Sequence, residues 1–128
     1  MRIFKNAWFE RFSRKQGIAD AALLAAVARA ERGQLDADLG GGVIKQRVAR
    51  TGHGKAGGFR TIILYRTAER AFFVYGFAKN DRDNIDADEE VAFKKAAQHI
   101  LRLTEDQLVA LIDKGQLTEI DHHDQEIP

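Results

Sequence analysis

The chain has 128 residues, 45% apolar and 30% charged, with a formal net charge of +1. That is one domain's length, with room for a hydrophobic core, and the balance is that of a globular protein. It has no Cys, which excludes disulfides, thiolate zinc sites and a thiol nucleophile.

No apolar run reaches the roughly 18 residues of a membrane span. The opening MRIFKNAWFERFSRK lacks the apolar stretch of a signal peptide, so a cytoplasmic protein with no membrane partner is expected. The near-neutral net charge hides a strong asymmetry. Residues 1–82 carry 16 Lys/Arg against 7 Asp/Glu, a balance of +9, and residues 83–128 carry 4 against 12, a balance of −8. A basic working surface beside an acidic C-terminal part points to nucleic acid as a partner.

In chain order, Ile3-Phe4 reads as a short strand and Trp8–Lys15 as a helix stopped by Gly17. Asp20 is the expected N-cap of a second helix that ends at Gly33, with Leu23, Leu24, Val27 and Ala30 as its apolar stripe. QLDADLGGG reads as a flexible loop. Three β-rich segments follow, Val43–Ala49, Phe59–Thr67 and Ala71–Lys79, the last two forming a hairpin. Strict alternation in the third puts Phe73, Tyr75, Phe77 and Lys79 on one face, and Phe72, Val74, Gly76 and Ala78 on the other.

Asp86/Glu89 and Thr104/Gln107 have capping-box spacing and open two further helices. Phe93, Ala96, Ala97, Ile100 and Leu101 form the buried stripe of the first of these. Gly115 ends the second. The expected organisation is a single domain over residues 1–114 and a flexible acidic tail over 115–128. The fold class is α+β: a small antiparallel sheet packed by N-terminal helices, with helices also at the C-terminal end.

The chemistry concentrates between Lys45 and Arg82, where nine Lys/Arg face only Glu69 and Asp81, a balance of +7. Alternation places Lys45 with Arg47, and Arg60 with Arg66, on common strand faces, a density suited to a phosphate backbone. Seven of the 11 glycines lie in residues 40–58, and RTGHGKAGGFR joins two strands. Gly52, Gly54 and Gly57 match G-x-G-x-x-G in form, but a strand follows where a dinucleotide fold needs a helix. A P-loop fails at Ala49 and Ala56, and kinase catalytic-loop motifs are missing.

What remains is a cationic glycine loop. His53 titrates in the range suited to a proton carrier, and Lys55 and Arg60 suit a phosphate transition state. His122-His123 in the tail offers no fixed metal geometry, and no metal or cofactor is expected. Trp8, Phe9 and Phe12 read as a core or partner-binding helix face, Tyr65 and Tyr75 as structural rings. No spacing indicates a Ser-His-Asp triad or a carboxylate pair.

The segment VIKQRVARTGHGKAGGFRTIILYRTAERAFFVYGFAKNDRDNI, with GKxGGxR, an aromatic strand ending GFAKN and then an Ala/Leu-rich helix, resembles the RelE/ParE superfamily of type II toxin–antitoxin toxins. The resemblance is in particular to a HigB-like RelE branch. It covers residues 43–103 well and the N-terminal part more loosely. The resemblance implies a toxin that inhibits translation as a ribosome-dependent mRNA endoribonuclease, with the RNA 2′-OH as nucleophile and no metal. Its implied partners are the ribosome, mRNA and a cognate helix-turn-helix (HigA-like) antitoxin.

By resemblance Lys55, Arg60, Lys79 and Arg82 match the catalytic cations, and His53 serves as proton carrier. Lys45, Arg47, Arg50 and Arg66 are the expected RNA-binding residues. The family also includes gyrase inhibitors of the ParE type, and a non-catalytic nucleic-acid-binding module shares the same charge pattern. One departure stands out: many active members place an Arg and a late Tyr or His beyond the last strand, whereas residues 80–86 hold Arg82 but no Tyr or His.

Overall fold

The structure, a computed structural model, describes residues 1–50 and 54–121, and the side chains of all of these except 54–56. The elements are β1 (Arg2–Asn6), α1 (Ala7–Gln16), α2 (Asp20–Glu31), β2 (Ala37–Gly40), β3 (Val43–Arg50), β4 (Gly54–Arg66), β5 (Arg70–Ala78), α3 (Ala87–Ile100), α4 (Glu105–Asp113) and β6 (Leu117–Glu119). They form the α+β fold expected from the sequence.

The six strands run in the order β2-β3-β4-β5-β1-β6. The sheet is mixed and not wholly antiparallel, because β1 inserts beside β5 in parallel, with Phe4 opposite Phe72. Its alternating side chains decide the layering. Ile3 joins a core with Phe9 of α1 and Leu23 and Val27 of α2, while Phe4 joins a second core with Ala97 of α3 and Leu108 of α4. A strand buried on both faces belongs inside a sheet covered on both sides.

Three local expectations need correction. Asp20 is the first residue of α2 and not its cap, and Ala19 at the cap position supplies no side-chain hydrogen bond. The Asp20 carboxylate instead accepts from the buried Lys5 Nζ at 3.0 Å. QLDADLGGG is not a loose loop, since Ala37–Gly40 pairs with β3. Gly40, Gly41 and Gly42 make the connecting turn with φ of 84°, 63° and 83°, values that L side chains rarely adopt. Finally, the folded body runs past residue 114: β6 pairs with β1, and the buried Ile120 donates its N–H to the Ile3 carbonyl at 2.8 Å.

Both capping boxes form as expected, Asp86 with Glu89 and Thr104 with Gln107. Gln46 on β3 is fully buried and ties three segments together. Its Nε2 donates to the Ala26 carbonyl at 2.9 Å and to the Gln34 carbonyl at 3.1 Å, and its Oε1 accepts from Asp36 N–H at 3.0 Å. Gln46→Leu keeps the approximate volume but leaves buried backbone groups unpaired. The expected loss is about 2–3 kcal/mol in urea unfolding, and an unchanged midpoint would contradict the role given to Gln46.

Candidate functional site

The cationic residues gather on the sheet face that carries α3, at the end that α3 leaves open. Strand register sets Arg47 opposite Arg60, and Arg60 opposite Phe77. The next row inward holds Lys45, Ile62 and Tyr75. Like charges directly opposite on one face repel. Neither the Arg47 nor the Arg60 guanidinium is in a salt bridge among the described residues, and Arg47 Nε is buried with no hydrogen-bond acceptor. The Arg47 backbone is fixed nonetheless: its N–H donates to Asp36 and its carbonyl accepts from Arg29. A pair of cations without a salt bridge, on two paired strands, can hold an anion.

Tyr75 reaches this face through a β-bulge. Ile62 pairs with Tyr75 but Ile63 pairs with Phe73, so Val74 is an extra residue in β5. The strict alternation expected for this strand therefore fails after Phe73. Phe73 packs on Phe9 of α1, with ring centroids 5.1 Å apart, whereas Tyr75 and Phe77 turn toward the α3 side. Gly76 faces α1, where an added Cβ would lie 2.7 Å from the Phe12 ring. That close approach explains a glycine in an otherwise aromatic strand.

Arg82 lies over the Tyr75 and Phe77 rings, 5.7 and 5.9 Å from their centroids. Its Nη1 donates to Tyr75 Oη at 2.8 Å and to Glu89 Oε2 at 2.9 Å, and its Nε donates to the Asn84 carbonyl at 2.8 Å. Lys45 Nζ donates to Asn84 Oδ1 at 3.1 Å, which closes the inner side of the site. The hydrogen bonds from Arg82, and then from the Asp86 backbone, hold the Glu89 carboxyl down to about 2 from its ordinary 4.5.

Because this value is depressed in the folded state, the stabilisation from the pair is complete above the ordinary carboxylate range. It disappears as pH falls from about 4.5 toward 2. A carboxyl-carbon NMR titration is expected to place the Glu89 midpoint at about 2. Arg82→Gln should return it toward the ordinary glutamate value; a midpoint that stays put in the variant would remove Arg82 as the cause.

The other sequence candidates are dispersed. Arg50 points to the opposite face, its guanidinium 5.6 Å from the Phe59 ring centroid. Arg50 and Lys79 line an open cleft of about 500 Å³ with Gly57, Gly58, Ala78, Asn80 and Asp83 at the end of the sheet. Arg66 sits at the far end of β4, paired with Glu69 at 2.6 Å, and does not join the cluster. His53 and the Lys55 side chain lie outside the described residues.

Sequence reasoning missed Tyr75, whose position depends on a bulge that no local motif announces. It also missed Glu89, whose capping spacing is visible but whose grip on Arg82 is not. Among the described residues no group of three or more His, Asp or Glu is placed to hold a metal, and no helix is long and apolar enough to cross a membrane.

The arrangement can grip a phosphodiester. Guanidinium forks match phosphate oxygens in pairs, and the half-buried Tyr75 ring near them suits a base or ribose, whereas Phe77 is buried. No curated protein matches the chain. The family model for the RelE toxin of the RelE/RelB toxin–antitoxin system matches residues 1–120, from β1 through β6. With that match spanning nearly the whole chain, the protein belongs to the RelE toxin family, the toxin half of a pair whose other member is a cognate antitoxin.

Proposed function

We propose that this toxin is a ribosome-dependent mRNA endoribonuclease of the HigB-like kind, held in check in the cytoplasm by a small helix-turn-helix antitoxin. The observation that carries this reading is the unneutralised Arg47–Arg60 pair beside Phe77 at the open end of the sheet. In the proposed reaction the RNA 2′-OH attacks the adjacent phosphorus. The 2′-O–P bond forms and the P–O5′ bond breaks, leaving a cyclic phosphate and a 5′-hydroxyl.

Arg60 and Arg47 neutralise the charge that develops on the phosphate oxygens, with Lys55 assigned to the same task from the start of β4. His53 takes the 2′-OH proton. The group that protonates the leaving oxygen is assigned to the Tyr75–Arg82 pair, in the place of the absent late Tyr or His. Lys45, Arg50 and Lys79 contact flanking RNA, and ribosomal RNA supplies the remaining polyanion.

A reconstituted translation reaction tests the reading. Added toxin is expected to cut mRNA on translating ribosomes and to leave the same mRNA intact without them. Uncut messages beside inhibited DNA gyrase would move the protein to the ParE type of activity.

A further inference from the structure

One flank of α1, with Trp8, Arg11 and Lys15 exposed and Phe12 half-buried against Phe59, has no role in the site described so far. Trp8, Arg11, Phe12 and Lys15 lie at i, i+3, i+4 and i+7, so they share one helix face. Trp8 is 38% exposed, a large ring left in water. It stacks on Phe12, with centroids 5.1 Å apart and planes 16° from parallel, and leans on Tyr75 at 4.7 Å. Trp8, Arg11, Phe12, Lys15 and Gln16 line a shallow open cleft of about 260 Å³. Among the described residues Arg11 and Lys15 make no ion pair, whereas Arg14 on the neighbouring face pairs with Glu10 at 2.9 Å.

We propose that this stripe is a stacking site for one base of single-stranded RNA, with Arg11 and Lys15 taking the flanking phosphates; the inference rests on the RNA-cleaving reading above. Two arguments favour RNA over a protein partner. The stripe alternates rings with free cations and carries no aliphatic residue, the combination used for sequence-tolerant binding of single strands. It is also continuous with the phosphate site: Trp8 touches Tyr75, and Tyr75 Oη accepts from Arg82 at 2.8 Å. A strand held between the guanidinium pair on the α3 face and α1 on the opposite face would therefore pass over Tyr75, beside the Arg82–Glu89 pair.

Trp8 is the only tryptophan in the chain, so its emission reports on this stripe and on Tyr75 beside it, and loss of the quench in the charge variant separates the two. The probe is an unlabelled 2′-O-methyl oligoadenylate, which has no 2′-OH to attack phosphorus. Saturating emission quenching is expected with the wild-type toxin. The Arg11→Glu/Lys15→Glu variant should bind about tenfold more weakly, with a salt slope shallower by about 1.4 for two lost phosphate contacts. In the reconstituted translation reaction the same variant should raise KM for mRNA cutting with little change in kcat. Trp8→Ala should do likewise, and Trp8→Phe should recover most of the loss.

Unchanged emission, or a quench that the charge variant retains at wild-type affinity, from a toxin that still cuts mRNA would overturn the stacking site and leave the nuclease reading standing. A wild-type toxin that cuts no mRNA in that reaction would overturn both. Quenching by the purified antitoxin but not by the oligonucleotide would assign the stripe to protein docking and overturn the inference.

Discussion

Replacing Arg47 and Arg60 together with alanine is expected to lower mRNA cutting by about 10³-fold while the protein stays folded. Removing a single preorganised donor to a transition-state oxyanion typically costs about 10²–10³-fold. On the proposed mechanism two such donors face one another across adjacent strands. Stability should hold or rise slightly, because the substitution removes a like-charge cross-strand pair, an effect of roughly a few tenths of a kcal/mol. Cleavage rates and thermal melting of the same preparation read both halves of the prediction. A folded double variant that cuts at the wild-type rate would detach the guanidinium pair from the chemistry.

The largest stability effect is expected at Phe72. Its ring is fully buried on the α3/α4 side of β5 and lies stacked on Phe4, centroids 4.7 Å apart and planes 11° from parallel. Phe72→Ala removes a ring from the layer that joins the N-terminal strand to the hairpin, and the neighbours cannot collapse into the space. Such truncations cost about 3–5 kcal/mol, a large share of the roughly 5–15 kcal/mol that holds a domain together. Melting should fall by roughly 10–20 °C. Val91 on α3 is the control: it is 51% exposed, and Val91→Ala should stay within about 0.5 kcal/mol. A small loss at Phe72 would mean that the β1–β5 pairing is not the spine of the sheet.

The elements that local chemistry dictates were readable before the fold. Asp86/Glu89 and Thr104/Gln107 mark helix starts because capping needs a fixed three-residue spacing, and both boxes form. The β3–β4–β5 meander follows from β-branched and aromatic runs separated by a short turn. What escaped is what depends on distant partners. β1 pairs in parallel with a strand about 68 residues later in the chain, and no local pattern encodes that neighbour. Leu117–Ile120 lies in an acidic stretch and is held by pairing with β1 and by burial of Leu117 and Ile120 in the two cores.

For the site, the sequence located the charge but not its geometry. Alternation put Lys45 with Arg47 and Arg60 with Arg66, yet only register showed Arg47 beside Arg60 and Arg66 far off with Glu69. The Val74 bulge reversed the faces of Tyr75 and Phe77, and with them the identity of the rings at the site. Arg82 was visible as a cation in a basic cluster. Its capture by Glu89 joins a capping residue of α3 to the wall of the site, a link made only by folding.

The most direct test of the central claim is to express the toxin alone in a bacterium and map mRNA 5′ ends, with the Arg47→Ala/Arg60→Ala variant alongside. The account predicts codon-phased cuts within translated messages for the wild type and none for the variant. Growth arrest with intact messages, or cuts that persist in the variant, would contradict it.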